Sequence, residues 1–85
     1  MKKFEYVIKD EVGIHARPAG MLVKEAKKYE SKIFIYKEEK KAEATKLMAL
    51  MGLSVKCGQT VRVEISGADE EEACAKVKAF FEENL

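Results

Sequence analysis

The chain has 85 residues, enough for one domain with a modest core, so any chemistry is expected on the surface rather than in an enclosed cavity. Hydrophobic residues at 47% and charged residues at 36% fit a globular chain rather than a disordered one. Sixteen basic against fifteen acidic side chains leave a net charge of +1, which argues against nucleic acid as the main partner.

In chain order, "KKFEYVIK" alternates, with Phe4, Tyr6 and Ile8 on one side and Lys3, Glu5 and Val7 on the other. That pattern predicts a half-buried strand. No signal peptide or membrane span is expected, because no long apolar run follows the opening lysines. "DEVG" reads as a turn. From Ala16 to Tyr29, Ala19, Leu22, Val23, Ala26 and Tyr29 recur at helical spacing, with Lys24, Glu25, Lys27 and Lys28 on the opposite face. An amphipathic helix is expected there.

"KIFIY" predicts a second strand, a turn at Glu38–Glu39 and a short third strand near Lys41–Ala44. "KLMALMGL" reads as a short helix ended by Gly52, "CG" as a turn and "TVRVEIS" as a strand with Val61, Val63 and Ile65 inward. "GADEEEACAKVKAFFEEN" predicts a closing helix. Its start has Asp69 and Glu72 at N-cap and N3 spacing, and Ala73, Val77, Phe80 and Phe81 form its buried stripe. The order βαββαβα gives the α+β class, with helices laid on one face of a mainly antiparallel sheet and the other face wet. Cys57 and Cys74 form no metal-like cluster with the lone histidine and read as ordinary thiols, Cys74 partly buried. Reduced thiols fit a cytoplasmic location.

The single histidine, His15, lies in "GIHARPAG", where the first loop meets the first helix. Helix-start amides lack internal acceptors and, with the helix dipole, suit an anion. A neutral imidazole placed there has a free ring nitrogen for nucleophilic attack. Arg17 offers a charged fork for phosphate oxygens, and Pro18 fits a first turn. Histidine is a poor residue for capping alone, so a phosphorylated imidazole that hands its phosphoryl group on is the better reading. With no HExxH, no glycine-rich phosphate loop and no paired catalytic acids, a self-sufficient enzyme is not expected.

"GIHARPAG", "LMALMGLSVKCG" and "SGADEEEA" closely resemble segments of the HPr family, the histidine-containing phosphocarriers of the bacterial sugar phosphotransferase system. The resemblance runs over the whole chain, residues 1–85, as a single domain. It implies an open-faced sandwich whose four antiparallel strands are ordered 1-4-2-3 under three helices. It also implies that phosphorylated enzyme I gives its phosphoryl group to Nδ1 of His15, which passes it to the A component of a sugar-specific enzyme II. Arg17 and the Ala16 backbone would hold the phosphoryl group, with no cofactor or metal.

The resemblance places the docking surface on Leu47, Met48 and Met51. A Met/Leu stripe is ordinarily core, but this short helix has apolar residues on nearly every side, and an exposed remainder is suited to a partner. Residues 68–85 carry six acids against two lysines, so residues 1–67 carry a net +5, and Lys24 and Lys27 are placed to steer an acidic partner. Gram-positive members of the family usually carry a regulatory serine at the start of the second helix. Here Lys46 stands at that position and Thr45 precedes it, expected as the N-cap. The expected carrier is a monomer, with neither nucleic acid nor membrane insertion in its chemistry. A docking regulator without phosphoryl transfer and a metal- or nucleic-acid-binding domain are the competing classes. The pairing of His15 with Arg17 speaks against the first, and the lone histidine and near-zero charge against the second.

Overall fold

The computed structural model describes residues 1–85 as β1 (Lys2–Val7), α1 (Ala16–Ala26), β2 (Lys32–Lys37), β3 (Lys40–Glu43), α2 (Leu47–Gly52), β4 (Thr60–Ser66) and α3 (Glu70–Asn84). The four strands form one antiparallel sheet in the order β1-β4-β2-β3. The register sets Phe4 opposite Val63, and Val63 opposite Ile35, so the inward residues of three strands meet in one layer. Val61, Val63 and Ile65 of the central β4 are fully buried, as their alternation requires. Ala19, Leu22 and Ala26 of α1, Leu50 of α2, and Ala73, Val77 and Phe81 of α3 close the core. Phe81 meets the rings of Phe4 and Tyr6 nearly edge-on, with centroids 5.7 and 5.6 Å away. The far face of the sheet holds Arg62 over the Tyr36 ring and Lys41 over Phe34.

Four local expectations are corrected. First, α1 ends at Ala26 rather than Tyr29. Beyond it the Lys28 and Tyr29 amides reach back only three residues, to Glu25 and Ala26, which tightens the last turn. The Tyr29 hydroxyl donates to Glu25 Oε2 at 2.6 Å. Second, Phe80 is half-buried, lying against Phe81 at the rim of the core.

Third, Asp69 is the α3 N-cap by position, but its carboxylate makes no cap bond. It instead accepts from the Glu30 and Ser31 amides, both at 2.9 Å, and from the Ser31 hydroxyl. Glu70 Oε1 accepts from the Gly67 amide, in the turn ahead of the helix, at 3.2 Å. Fourth, Thr45 does not cap α2: Lys46 is its N-cap residue, and no side chain bonds that end.

Candidate functional site

The loop before α1 is fastened from both sides. Asp10 Oδ1 accepts from the amides of Val12 at 2.9 Å and Gly13 at 3.2 Å, which makes "DEVG" an Asx-type turn. Gly13 has φ 83° and lies so close to Val55 that a Cβ would sit 2.2 Å from the Val55 carbonyl oxygen. Only glycine fits there. The Ile14 amide then donates to that same carbonyl at 3.0 Å, and the Ile14 side chain is buried.

This fixes His15 as the N-cap residue of α1, with extended backbone (φ −105°, ψ −172°). Its carbonyl accepts from the Ala19 amide at 2.9 Å, while its half-exposed imidazole makes no cap bond. The first turn of α1 carries no acid, so no carboxylate of that turn occupies its amide end. Pro18, buried in that turn, has no N–H to leave unpaired. Arg17 is exposed and takes part in no ion pair within the chain.

His15 and Arg17 share a shallow cleft of about 230 Å³ with Asp10, Pro18, Met21 and Asn84. Asp10 and Asn84 were not singled out as site residues from the sequence. The aspartate three residues before a glycine was a usable signal for Asp10. Nothing local marks Asn84, which the end of α3 brings to the cleft, its Nδ2 donating to the Phe80 carbonyl at 3.1 Å. A larger open groove between α1 and α3, about 570 Å³, is lined by Glu25, Lys28, Tyr29 and Lys76 among others. It holds no histidine or cysteine.

On α2, Met48 is 77% exposed, Leu47 40% and Met51 38%, whereas Leu50 is fully buried. The helix therefore spends one leucine on the core and presents an apolar patch to solvent. α1 packs against α2, and Val55, the anchor of the histidine loop, lies two residues beyond the Leu53 cap of α2. Lys24 and Lys27 are exposed on and just past the last turn of α1. Lys46 is exposed at the head of α2. Cys57 is exposed, Cys74 half-buried, and both are free thiols. No group of three or more His, Cys, Asp or Glu side chains is arranged to hold a metal ion. No helix is long and apolar enough to cross a membrane.

Comparison with known proteins agrees with this architecture. The phosphocarrier protein HPr of Mycoplasma genitalium is 42% identical over 85 residues, covering 99% of this chain and 97% of that protein. The crystal structure of an HPr from Thermoanaerobacter tengcongensis superposes with a TM-score of 0.91 at 39% identity, covering 96% of this chain and 92% of that one. The HPr-like protein Crh of Bacillus subtilis is 39% identical over 75 residues, covering 88% of each chain. Its crystal structure, described as a domain-swapped dimer, matches with a TM-score of 0.79 at 35% identity, covering 100% of this chain and 98% of that one. The family model for the phosphotransferase-system HPr component phosphorylation site matches residues 2–83, and the chain belongs to this HPr family.

Proposed function

We propose that His15 accepts a phosphoryl group from phosphorylated enzyme I and passes it to the A component of a sugar-specific enzyme II. The observation that carries this reading is the position of His15: a half-exposed imidazole at the N-cap of α1, in one cleft with Arg17. In each transfer a ring nitrogen of one partner attacks phosphorus while the bond to the other partner's nitrogen breaks. The carrier is left as N-phosphohistidine, then returned to free imidazole. The family resemblance assigns the bond to Nδ1.

Charge spreads over the three phosphoryl oxygens during transfer, and positioning with electrostatic stabilisation does most of the work. The first-turn amides of α1, Ala16 and Arg17 among them, and the Arg17 guanidinium supply that stabilisation. Enzyme I contributes the phosphoryl donor, so the chain works as a carrier and not as a free-standing enzyme. The apolar patch of Leu47, Met48 and Met51 docks the partners, with Lys24 and Lys27 steering them. The reading takes the carrier as a monomer in the cytoplasm, with residues 1–85 acting as one domain.

The test is incubation with phosphoenolpyruvate and purified enzyme I, followed by intact mass. One phosphoryl group should be added, stable to alkali and labile to acid, and His15→Ala should take up none. Undiminished labelling of that variant would assign the acceptor elsewhere.

A further inference from the structure

α2 is six residues long and has no side-chain cap at its N-terminus and no basic residue in its last turn. A helix this short is not stable by itself, and its last carbonyls need partners. Leu50 and Met51 find them in the amides of Leu53 and Ser54, at 3.2 and 3.1 Å. The Leu53 and Ser54 carbonyls, one step further, receive a side chain from another element: Lys37 Nζ, at the end of β2, donates to them at 3.1 and 2.9 Å. Ser54 has φ 54°, a left-handed conformation that a serine adopts only when its surroundings hold it.

We propose that Lys37 is a positioning residue for partner docking: its ammonium clamps the end of α2 and so sets the orientation of the Leu47, Met48 and Met51 patch. Three observations converge on this. The ammonium sits at the helix end where a cation is favoured. It bridges two successive carbonyls across the one backbone position in α2's exit that needs a positive φ. The patch residues face solvent, so core packing secures the helix mainly through Leu50 and Leu53. The Asp10 turn fastens the histidine loop independently of α2, so the clamp acts on docking more than on transfer. The inference rests on the reading of α2 as the docking helix.

The experiment compares Lys37→Met, which keeps the stem and removes the ammonium, with Lys37→Arg and with Lys40→Met. Lys40 is exposed on the same hairpin and its ammonium bonds no carbonyl of the α2 exit, so its loss removes the same charge without removing the clamp. With α2 only fractionally in its docking orientation, the apparent affinity falls by that fraction. Lys37→Met should raise the KM for enzyme I roughly three- to tenfold and leave the rate at saturation within about twofold. Amide exchange at Leu50, Leu53 and Ser54 should accelerate while that at Ala19 does not. Lys37→Arg should restore most of both, and Lys40→Met should change neither beyond a small salt-sensitive effect. Unchanged exchange at the end of α2 would overturn the clamp. Faster exchange with an unchanged KM would overturn the functional role, provided Met48→Glu does raise KM. If Met48→Glu also leaves KM unchanged, the docking reading itself has failed and the positioning role falls with it.

Discussion

The Asp69 carboxylate at the foot of α3 accepts from both the amide and the hydroxyl of Ser31, 38 residues earlier in the chain. A second amide, that of Glu30, completes the set at 2.9 Å. One side chain thereby ties the entry of β2 to the start of α3. The backbones are pressed together at the same point, where a Cβ on Gly67 would come 2.6 Å from Ser31 Cα.

This tether predicts a pH dependence. The Ser31 hydroxyl, then the Glu30 and Ser31 amides, bond the charged carboxylate and hold Asp69 below the usual aspartate range. A carboxyl whose folded-state value is depressed contributes stability above its unfolded value, about pH 4. That contribution is lost as the pH falls through the depressed value. Asp69→Asn should lower the melting temperature at pH 7, and the gap from wild type should narrow in the acid limb below about pH 4. Equal melting temperatures at pH 7 would remove the tether from the stability of the fold.

Arg17→Ala tests the phosphoryl site. Charge-assisted hydrogen bonds of about 1.5–3 kcal/mol each would be lost from the transferring group. The rate of phosphorylation by enzyme I should fall roughly tenfold or more. Arg17 is exposed and unpaired within the chain, so the melting temperature should hardly move. A rate within twofold of wild type would take Arg17 out of the transfer.

Much of the fold was legible because its signals are periodic. The alternation in "TVRVEIS" and the helical spacing from Ala19 to Ala26 state which faces are inward, and the core follows them. The sheet order was another matter: periodicity places strands but does not order them, and 1-4-2-3 came from the family resemblance. The place of His15 at the start of α1, two residues before Arg17, was legible from local spacing, whereas the choice of Leu47, Met48 and Met51 came from the family resemblance.

The misses at Asp69, Asn84 and Lys37 share one cause. Asp69 stood at cap spacing from Glu72, and local spacing favoured a capping box. The fold brought three donors from residues 30 and 31 to that carboxylate, and they displaced the local partner. Asn84 in the cleft and Lys37 on α2 are likewise products of topology, reaching across elements that no window of sequence contains.

Met48→Glu addresses the docking patch. Met48 is 77% exposed, so replacing it should change stability by no more than about 0.5 kcal/mol. A carboxylate at the centre of an apolar interface should weaken enzyme I binding roughly tenfold or more, because an unpaired charge would be desolvated on docking. Titration calorimetry with purified enzyme I, alongside thermal melts, separates the two effects. Unchanged affinity in a folded variant would show that the partner does not sit on α2.

Lys46 supports the last prediction. It is the exposed N-cap residue of α2, it makes no cap bond, and its positive charge faces the positive end of the helix dipole. Serine at this position would supply the missing acceptor for a first-turn amide. Lys46→Ser should therefore stabilise the fold by about 0.5–1 kcal/mol. A phosphoserine there would suit the helix end but add about −2 charge beside the docking patch. Lysine has no hydroxyl to modify, so a family serine kinase given ATP should leave the wild-type chain unphosphorylated and modify Lys46→Ser. Lys46→Asp reproduces part of that charge change. It should cap the helix and at the same time slow phosphorylation of His15 by enzyme I, more at low salt than at high salt, because screening weakens the repulsion of an acidic partner. If the kinase modifies the wild-type chain stoichiometrically at Thr45, the half-buried residue just ahead of the cap, then control by a hydroxyl phosphate operates one position earlier than the register of Lys46 implies.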